Sequence, residues 1–445
     1  MQLEPAVERL AALLAVPTVS RADPDDTDWG AFDRFRAVLA ARFPRVFSAL
    51  DVELVAGHTL LARWAGADPA AAPVVLMAHQ DVVDPGDTSA WPHPAFGGRT
   101  VGEGAERALW GRGAIDDKGS LAGILEAVDG ALAEGRRPSR DVWLVFGHDE
   151  ETAGSGAAAA AGELERRGVR PAFVLDEGGA IVEGFLPGVD APLAAVGLSE
   201  KGIVTIRLSV EEAGGHASTP PRVSAIGRLA RAIARMDARP FPARLTATTR
   251  AMFRAAGSRA KGALGWVYRH PGVCAPLLLA ALRRSGPEGD AMTRTTRVAT
   301  MIEGGHARNA IPERASAIVN LRVIPGSSVE AAIEHLRSAI DDPRVRIETL
   351  QAAEPAPVSP TSGFGWDVIR ATLAEVRPDA VLTPYTQNGA TDSRHFTRIA
   401  DAVYRFTPFD LTDAERAALH AVGERIRVDA YLRGVEFYRA LVARL

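Results

Sequence analysis

Histidine and acidic residues occur together in several short motifs of this sequence, and both residue types can bind metal ions. These motifs, with one further histidine, are His79-Gln80-Asp81, Asp116-Asp117, His148-Asp149-Glu150-Glu151, Asp176-Glu177 and His420. Imidazole and carboxylate ligands without thiolates suit a pair of divalent ions such as Zn²⁺, Co²⁺ or Mn²⁺. In a Glu-Glu pair, one carboxylate can bind metal while its neighbour takes a proton from metal-bound water, as metal-assisted hydrolysis requires. The sequence therefore predicts a dinuclear metal centre.

Three of the motifs directly follow predicted β-strands. Continuous apolar runs over Pro73–Met77, Val142–Phe146 and Ala172–Leu175 indicate strands that are buried on both faces. These runs alternate with helical segments rich in Ala and Leu, which predicts an α/β fold with a mostly parallel sheet. Ligand sites of such sheets lie beyond the carboxyl ends of the strands, so the motifs are expected to meet at one edge. His79 and Asp81 would point to the same side, which would allow Asp81 to orient His79.

The pattern of predicted elements changes after residue 201. The next elements are strand Ile203–Val210, helix Val223–Met236, strands Thr295–Ile302 and Ala315–Val323, helix Val329–Ile340 and strand Val345–Leu350. This order is typical of a ferredoxin-like α+β domain. We therefore predict a first domain comprising residues 1–201 and 355–445. An inserted domain would span residues 202–354, with a helical insertion at about 239–290.

Composition excludes several classes of protein. The 51 Lys and Arg and 55 Asp and Glu give a net charge of −4, which provides no general attraction to nucleic acid. The single cysteine, Cys274, cannot form an intramolecular disulfide or a cysteine-rich metal site. The first twenty residues contain Glu4 and Glu8 and lack a basic segment before an apolar run, which favours a helix over a signal peptide. No apolar run approaches the roughly 20 residues of a membrane span. A cytoplasmic location is the resulting expectation.

Longer stretches of the sequence resemble the dinuclear zinc metallopeptidase family that includes carboxypeptidase S, aminoacylase and the desuccinylases. They are MAHQDVVDP, WGRGAIDDKGS, HDEETAGSG, VLDEGG, SEKG, GGHASTPP, NAIPE, VNLRVIPG, TDSRHF and LHAVGERI. These stretches follow the family's order over nearly the whole chain and are most similar to the branch of carboxypeptidase S and N-acyl-amino-acid hydrolases. One departure is the sequence His-Ala-Val-Gly-Glu from His420, where this branch often has His-Gly-x-Asn-Glu.

The resemblance implies a role for each residue of the metal centre. It gives the ligands as His79 and either Asp176 or Glu177 for one Zn²⁺, Glu151 and His420 for the other, and Asp116 as the bridge between them. Asp81 would orient His79. Glu150 would be the general base that deprotonates the attacking water and then the acid that protonates the leaving amine. The resemblance also implies a cis peptide bond between Asp116 and Asp117.

The resemblance also implies residues that contact the substrate. His216 would help to polarise the scissile carbonyl, in many family members from across a dimer. Asn309 and Arg322 would shape the substrate site, and either Arg322 or Arg394 could grip a terminal carboxylate with two hydrogen bonds. A homodimer through the inserted domain is expected on the same grounds.

The expected reaction is amide hydrolysis that releases a C-terminal amino acid from a dipeptide or short peptide. An N-acyl amino acid with a fatty or other acyl group is the alternative substrate. The apolar segment Leu277–Leu282 could line an acyl pocket or simply pack in the core. Two remoter alternatives are a dinuclear phosphoesterase, in which Glu150 would have no obvious role, and a non-catalytic binding protein, which would be expected to have lost a ligand or the base.

Overall fold

The computed structural model describes residues 4–152 and 154–445. The strands are β1 (Asp51–Val55), β2 (Thr59–Trp64), β3 (Val74–His79), β4 (Arg99–Val101), β5 (Ala108–Trp110), β6 (Val142–Gly147), β7 (Phe173–Asp176), β8 (Ala180–Val182), β9 (Leu193–Glu200), β10 (Gly202–Glu211), β11 (Gly215–His216), β12 (Thr296–Gly304), β13 (Ala310–Ile311), β14 (Arg314–Val323), β15 (Arg346–Ala353), β16 (Val381–Gln387), β17 (Val403–Arg405) and β18 (Arg425–Arg427). The α-helices are α1 (Glu4–Leu14), α2 (Trp29–Arg42), α3 (Pro44–Ala49), α4 (Lys118–Ala133), α5 (Ser155–Arg166), α6 (Ala225–Ala238), α7 (Ala247–Ala256), α8 (Gly262–Arg269), α9 (Ala275–Arg284), α10 (Pro287–Ala291), α11 (Val329–Ile340), α12 (Phe364–Val376), α13 (Asp413–Ala417) and α14 (Val428–Val442).

A large mixed sheet forms the centre of the molecule. Its strand order is β1-β2-β6-β3-β7-β17-β9-β16, with β8 paired to β9. The central strands β6, β3, β7 and β17 are parallel. Every residue of β3, β6 and β7 is buried, as their continuous apolar runs predict. Helices α4 and α14 pack together on one face and α5 covers the other. The predicted mixed α/β fold with a large, mostly parallel sheet is therefore confirmed.

A second, antiparallel sheet has the strand order β12-β14-β10-β15. Buried and half-buried residues alternate along β10 and β14, because only one face of this sheet packs against helices α6 and α11. Its buried side chains form a hydrophobic core separate from that of the large sheet. The predicted strand–helix–strand–strand–helix–strand order over this segment is observed, with helix α11 at the predicted bounds.

The helical insertion between β11 and β12 packs on the large sheet. Helix α7 lies against β16, and Met252 and Phe253 of this helix belong to the core of the large sheet. Leu278 and Leu282 of α9 are buried in the same core, whereas Leu277 is 58% exposed. The apolar segment Leu277–Leu282 thus supplies core packing. In space, the insertion belongs with the large sheet, although in sequence it interrupts the elements of the small one.

Among the described residues, each helix is too short or too polar to cross a lipid bilayer.

Candidate active site

The carboxyl ends of three neighbouring strands place most of the candidate ligands. Strand β3 lies between β6 and β7 and is parallel to both, with His79 beside Gly147 in the register. The motifs that follow these strands therefore open on the same edge of the sheet, as the sequence predicts. Two further segments reach this edge. One is the turn before α4, which carries Asp116, and the other is the loop before β18, which carries His420.

Asp116 lies between the two imidazoles. His79 Nε2 is 2.9 Å from Asp116 Oδ1, and His420 Nε2 is 3.1 Å from Asp116 Oδ2. Glu151 Oε1 lies 3.2 Å from His420 Nε2, and Glu177 Oε1 lies 3.8 Å from His79 Nε2. One carboxylate thus faces two separate groups of ligands, each with one histidine and one glutamate. The peptide bond between Asp116 and Asp117 is cis.

His420 has a backbone conformation that is uncommon for residues other than glycine. Its φ of 59° lies in the left-handed region. The side chain is half exposed, and its Nε2 atom is directed at Asp116 and Glu151. These two carboxylates raise the pKa of the His420 imidazole to about 10. Non-glycine residues in this conformation cluster at functional sites, where the surrounding structure holds them in place.

Asp81 connects His79 to the loop that carries the two glutamates. Its Oδ1 is 3.3 Å from His79 Nδ1 and accepts a hydrogen bond from the Glu150 amide at 3.2 Å. Its Oδ2 accepts hydrogen bonds from the Glu151 amide at 3.1 Å and from the Ser20 hydroxyl at 2.7 Å. His79 Nδ1 is also 3.0 Å from the carbonyl oxygen of Asp81. Because Nδ1 faces these Asp81 oxygens, Nε2 is left to act as a ligand. The orienting role of Asp81 stays a prediction.

Glu150 is half-buried beside the ligand cluster. Burial, together with the negative charges of Asp392 and Asp116, raises the pKa of its carboxyl well above the usual range, and nearby His79 acts in the opposite direction. Burial and the charges of Asp116 and Asp117 have the same effect on the pKa of Glu177. Several carboxyl groups therefore share a site that contains too little positive charge to neutralise them.

Asp176 and Glu177 differ in their positions relative to this cluster. Asp176 Oδ2 accepts a hydrogen bond of 2.8 Å from the Ser393 amide, so the carboxylate is directed towards the segment that follows β16. Glu177 instead approaches His79 and is grouped with it and Asp117 among donors that lie within 4.8 Å of one another. Of the two acids, Glu177 is the one that belongs to this group of donors, and which acid binds metal stays a prediction.

The donor set fits divalent metal ions. Four ligand atoms around a zinc ion at about 2.0–2.1 Å are separated from one another by about 3.3 Å, and the separations between the donors here range from 2.9 to 3.8 Å. Two imidazoles with Asp116, Glu151 and Glu177 form a ligand set typical of zinc, cobalt or manganese. Metal binding would also compensate the negative charge that raises the glutamate pKa values.

Paired substitutions at Asp176 and Glu177 test which acid is the ligand. We expect Glu177→Gln to weaken the binding of one metal ion by about 10- to 100-fold or more, because a neutral amide is a poor replacement for a carboxylate. Asp176→Asn should retain both ions, since the amide oxygen can still accept the hydrogen bond from Ser393. Metal titration followed by elemental analysis measures the metal binding of both variants. The opposite result would assign the ligand to Asp176.

Glu424 has a structural role that the sequence motifs did not reveal. Fully buried, it receives hydrogen bonds from the amides of Gly113 at 3.1 Å and Ile115 at 2.9 Å, and from Arg112 at 2.7 Å. It thereby holds the turn that presents Asp116. Glu424 belongs to the stretch LHAVGERI, which resembles the family. Its hydrogen-bond partners, however, lie more than 300 residues earlier in the chain.

Arg322 of β14 and Arg394, in the short helical turn after β16, are close enough for their charges to interact. Burial and the positive charge of Arg394 lower the pKa of the Arg322 guanidinium. Arg322 Nε donates to Asn320 Oδ1 at 3.2 Å, and Arg394 NH1 donates to the Thr391 carbonyl at 3.1 Å. The segment of Arg394 is anchored by buried Glu200, whose Oε2 accepts the Thr391 amide at 2.9 Å. Glu200 is another site-supporting residue without an assigned role in the sequence analysis.

His216 and Asn309 lie away from the metal ligands within one chain. Both are exposed on the ribbon formed by β11 and β13. His216 Nδ1 is 2.7 Å from the Ser218 hydroxyl, and the Asn309 carbonyl accepts the Ala217 amide at 3.0 Å. Within residues 4–152 and 154–445, no hydrogen bond or ion pair joins either residue to the histidine–carboxylate cluster.

Comparisons with known proteins show the family of this chain and agree with its fold. Residues 75–444 match the model of peptidase family M20/M25/M40. "Probable carboxypeptidase S-like 2" of Dictyostelium discoideum is 34% identical over 98% of this chain and 84% of that protein. Human "N-fatty-acyl-amino acid synthase/hydrolase PM20D1" is 33% identical over 98% of this chain and 86% of that protein.

Solved structures of lower identity share the fold. The M20 family metallo-carboxypeptidase Sso-CP2 from Sulfolobus solfataricus superimposes with a TM-score of 0.71 at 16% identity, covering 98% of each chain. The di-peptidase Dug1p from Saccharomyces cerevisiae gives a TM-score of 0.66 at 15% identity, covering 100% of this chain and 98% of that one. With the family model spanning most of the sequence, this chain belongs to peptidase family M20/M25/M40.

Proposed function

We propose that this chain is a two-zinc hydrolase that cleaves an amide bond and releases an amino acid with a free carboxylate. The observation that carries this proposal is the position of Asp116 between His79 and His420, next to the half-buried acid Glu150. His79 and Glu177 would hold one ion, and Glu151 and His420 would hold the other. Asp116 would hold both ions. Bound there, the ions would supply polarisation of the amide carbonyl and a water acidic enough to lose a proton near neutral pH.

The chain's own residues perform the proton transfers. Glu150 is positioned by its amide contact with Asp81 and takes the proton of the attacking water. The same carboxyl then delivers this proton to the leaving nitrogen, which departs as the free amine. Arg322 and Arg394 would receive the substrate carboxylate, since a guanidinium binds a carboxylate with two parallel hydrogen bonds. Both peptides and N-acyl amino acids present such a carboxylate.

The small sheet and its helices would form a separate ferredoxin-like domain of residues 202–354 that closes over the site and forms a homodimer. Its separate core supports this proposal. Its edge strand β12 exposes Val298, Met301 and Ile302, which are 56 to 63% exposed, and an exposed apolar edge strand is a surface suited to pairing. In such a dimer, His216 of the partner subunit would reach the scissile carbonyl, since His216 lies away from the ligands of its own chain.

The experiment that tests the function is a panel of matched substrates. We expect the zinc-loaded protein to release amino acids from dipeptides or N-acyl amino acids and to leave phosphate mono- and diesters intact. Metal-free protein is the control. Phosphate ester turnover would favour a dinuclear phosphoesterase, and a metal-loaded protein that is inactive on the whole panel would contradict an enzymatic role in amide hydrolysis.

A cavity with a mostly apolar lining favours an N-acyl amino acid as substrate. It measures about 210 Å³, and its lining includes Val182, Leu193, Ala195 and Met252. An apolar cavity of about 150 Å³ is large enough to bind benzene, so this one can hold an aromatic or short alkyl acyl group. The cavity also reaches Gly179, two residues after Glu177, and Leu419, which precedes His420. An acyl group in the cavity would thus have its amide bond next to the ligands.

Filling this cavity should separate the two classes of substrate. We expect Ala195→Leu to lower kcat/KM for N-acyl amino acids with a phenyl or medium-length alkyl group by about tenfold or more, since methylene-sized changes in such pockets have effects of this order. Turnover of a small dipeptide in the same variant is the internal control and should be nearly unchanged. An equal loss on both substrates would instead indicate general damage, and an unchanged acyl preference would exclude the cavity as the acyl site.

A further inference from the structure

The helical insertion carries a concentration of positive charge that the net charge of the chain conceals. Residues 239–290 contain nine Arg and Lys and two acidic residues, Glu288 and Asp290, at their end, whereas the rest of the chain has 42 Lys and Arg and 53 Asp and Glu. A local segment of this kind attracts an anionic partner even when the whole protein is mildly acidic, because electrostatic screening limits each charge to about 8–10 Å.

The positive side chains face solvent. Arg250 and Arg254 are one turn apart on the exposed side of α7, while Met252 and Phe253 on its other side are buried. Arg259 follows in the next turn and is also exposed. Among the described residues, these three arginines form no ion pair, so their charge is not neutralised within the chain. The outer side of α7 is therefore a positively charged surface.

Helix α8 packs on α7, and large apolar side chains are exposed on α8 and at the start of α9. Trp266 of α8 is 51% exposed, and Val273 and Leu277 are 78% and 58% exposed. Trp266 stacks on His270 with a centroid distance of 4.7 Å, and the Cys274 amide donates to the His270 carbonyl at 3.0 Å. Trp266, Val273 and Leu277 thus follow one another across the turn from α8 to α9. Exposing such side chains to water is unfavourable, and clusters of them mark surfaces that bind a partner.

We propose that this surface, formed by Arg250, Arg254, Arg259, Trp266, Val273 and Leu277, docks on an anionic lipid bilayer. Arginines that meet lipid phosphates, together with a tryptophan and aliphatic side chains that enter the headgroup region, are the features of an interfacial membrane anchor. Nucleic acid would attract the arginines but offers no apolar region for Val273 and Leu277. A second copy of this chain would bring two equally positive surfaces together and repel.

The position of this surface relative to the apolar cavity supports a lipid-like encounter. Helix α7 presents its arginines outwards, and its inner residue Met252 lines the cavity. Glu288, on α10 at the end of the insertion, also lines the cavity and pairs with Arg416 at 2.6 Å. Docking would therefore place the cavity near the membrane surface. Docking on a bilayer does not depend on which substrate the enzyme cleaves.

Vesicle sedimentation with the full-length protein tests the proposal. We expect binding to vesicles of phosphatidylcholine with phosphatidylglycerol, little binding to phosphatidylcholine alone, and weaker binding at high salt. Arg250→Glu with Arg254→Glu should lower the affinity at least about tenfold, and Trp266→Ser with Leu277→Ser should have an effect of similar size. The matched control is Arg42→Glu with Leu54→Ser. Leu54 is exposed on β1, at the edge of the large sheet opposite to β16.

Each outcome decides the proposal. Thermal unfolding of every variant first establishes that the fold is intact. Loss of vesicle binding in both insertion variants but not in the control supports the docking surface. Absence of binding to anionic vesicles, equal binding to both lipid compositions, or equal losses in the control variant would overturn it. Binding of a duplex oligonucleotide that depends on the arginines but is insensitive to Trp266→Ser and Leu277→Ser, with no vesicle binding, would replace the bilayer by nucleic acid.

Discussion

Glu150→Gln should bind both metal ions and lose about a thousandfold or more in kcat on amide substrates. The amide is close in size to the carboxyl and keeps the loop contact with Asp81, which is made by the backbone of residue 150. It cannot accept a proton from water or deliver one to the leaving nitrogen, and general acid–base catalysis typically contributes 10²- to 10⁴-fold. Steady-state kinetics with metal analysis of the same samples measures the effect.

The thermal stability of the Glu150→Gln protein is the control for this variant. Glu150→Gln removes a carboxyl from a site with excess negative charge, so the folded protein should be no less stable, and its melting temperature should not fall. Turnover near the wild-type rate in a fully metal-loaded Glu150→Gln protein would contradict the assigned role. Lost turnover accompanied by lost metal would instead make Glu150 a ligand.

Asp116→Asn should remove metal from both positions and abolish turnover. Within the described part of the chain, Asp116 is the one carboxylate with an oxygen close to each of these two histidines. Burial opposes its ionisation, but His420 and His79 outweigh burial and lower the pKa of Asp116 below its usual range. A neutral amide cannot bridge two cations, so we expect less than one ion per chain after dialysis and activity reduced by at least about a thousandfold. Elemental analysis measures the metal content, and steady-state kinetics measures the activity.

Asp117→Asn is the matched control. Asp117 is also fully buried, but its Oδ2 accepts a hydrogen bond from the His79 amide at 3.3 Å, and an asparagine oxygen can do the same. We expect this variant to keep its metal. If Asp117→Asn removed metal as completely as Asp116→Asn, the bridging position would not belong to Asp116 alone.

The sequence was most informative where local chemistry and local structure coincide. Continuous apolar runs before His79, Glu150 and Asp176 predicted strands β3, β6 and β7, and the rule for parallel sheets then placed their ends together. Each of these inferences needs only a few adjacent residues. Helix α11 was predicted at its observed bounds for the same reason, because its apolar periodicity lies within one segment.

Features that depend on distant partners were not predictable in this way. Glu424 supports the Asp116 turn through contacts with Arg112 and nearby amides, and nothing adjacent to Glu424 indicates that partner. The choice between Asp176 and Glu177 depends on Ser393, which is more than 200 residues further along the chain. The helical insertion was predicted from the order of elements along the sequence, but its packing on β16 follows from tertiary contacts alone.

The position of strand β17 determines when the large sheet can close during synthesis of the chain. It lies between β7 and β9, and Val403 pairs with Val174. While the first two hundred residues emerge from the ribosome, β9 therefore has no strand through which to join the earlier part of the sheet. His420 emerges later still. Closure of the sheet must wait until β17 has been synthesised, and such long-range pairing slows folding. Until then the nascent chain exposes unpaired strand edges, which are sites for chaperone binding.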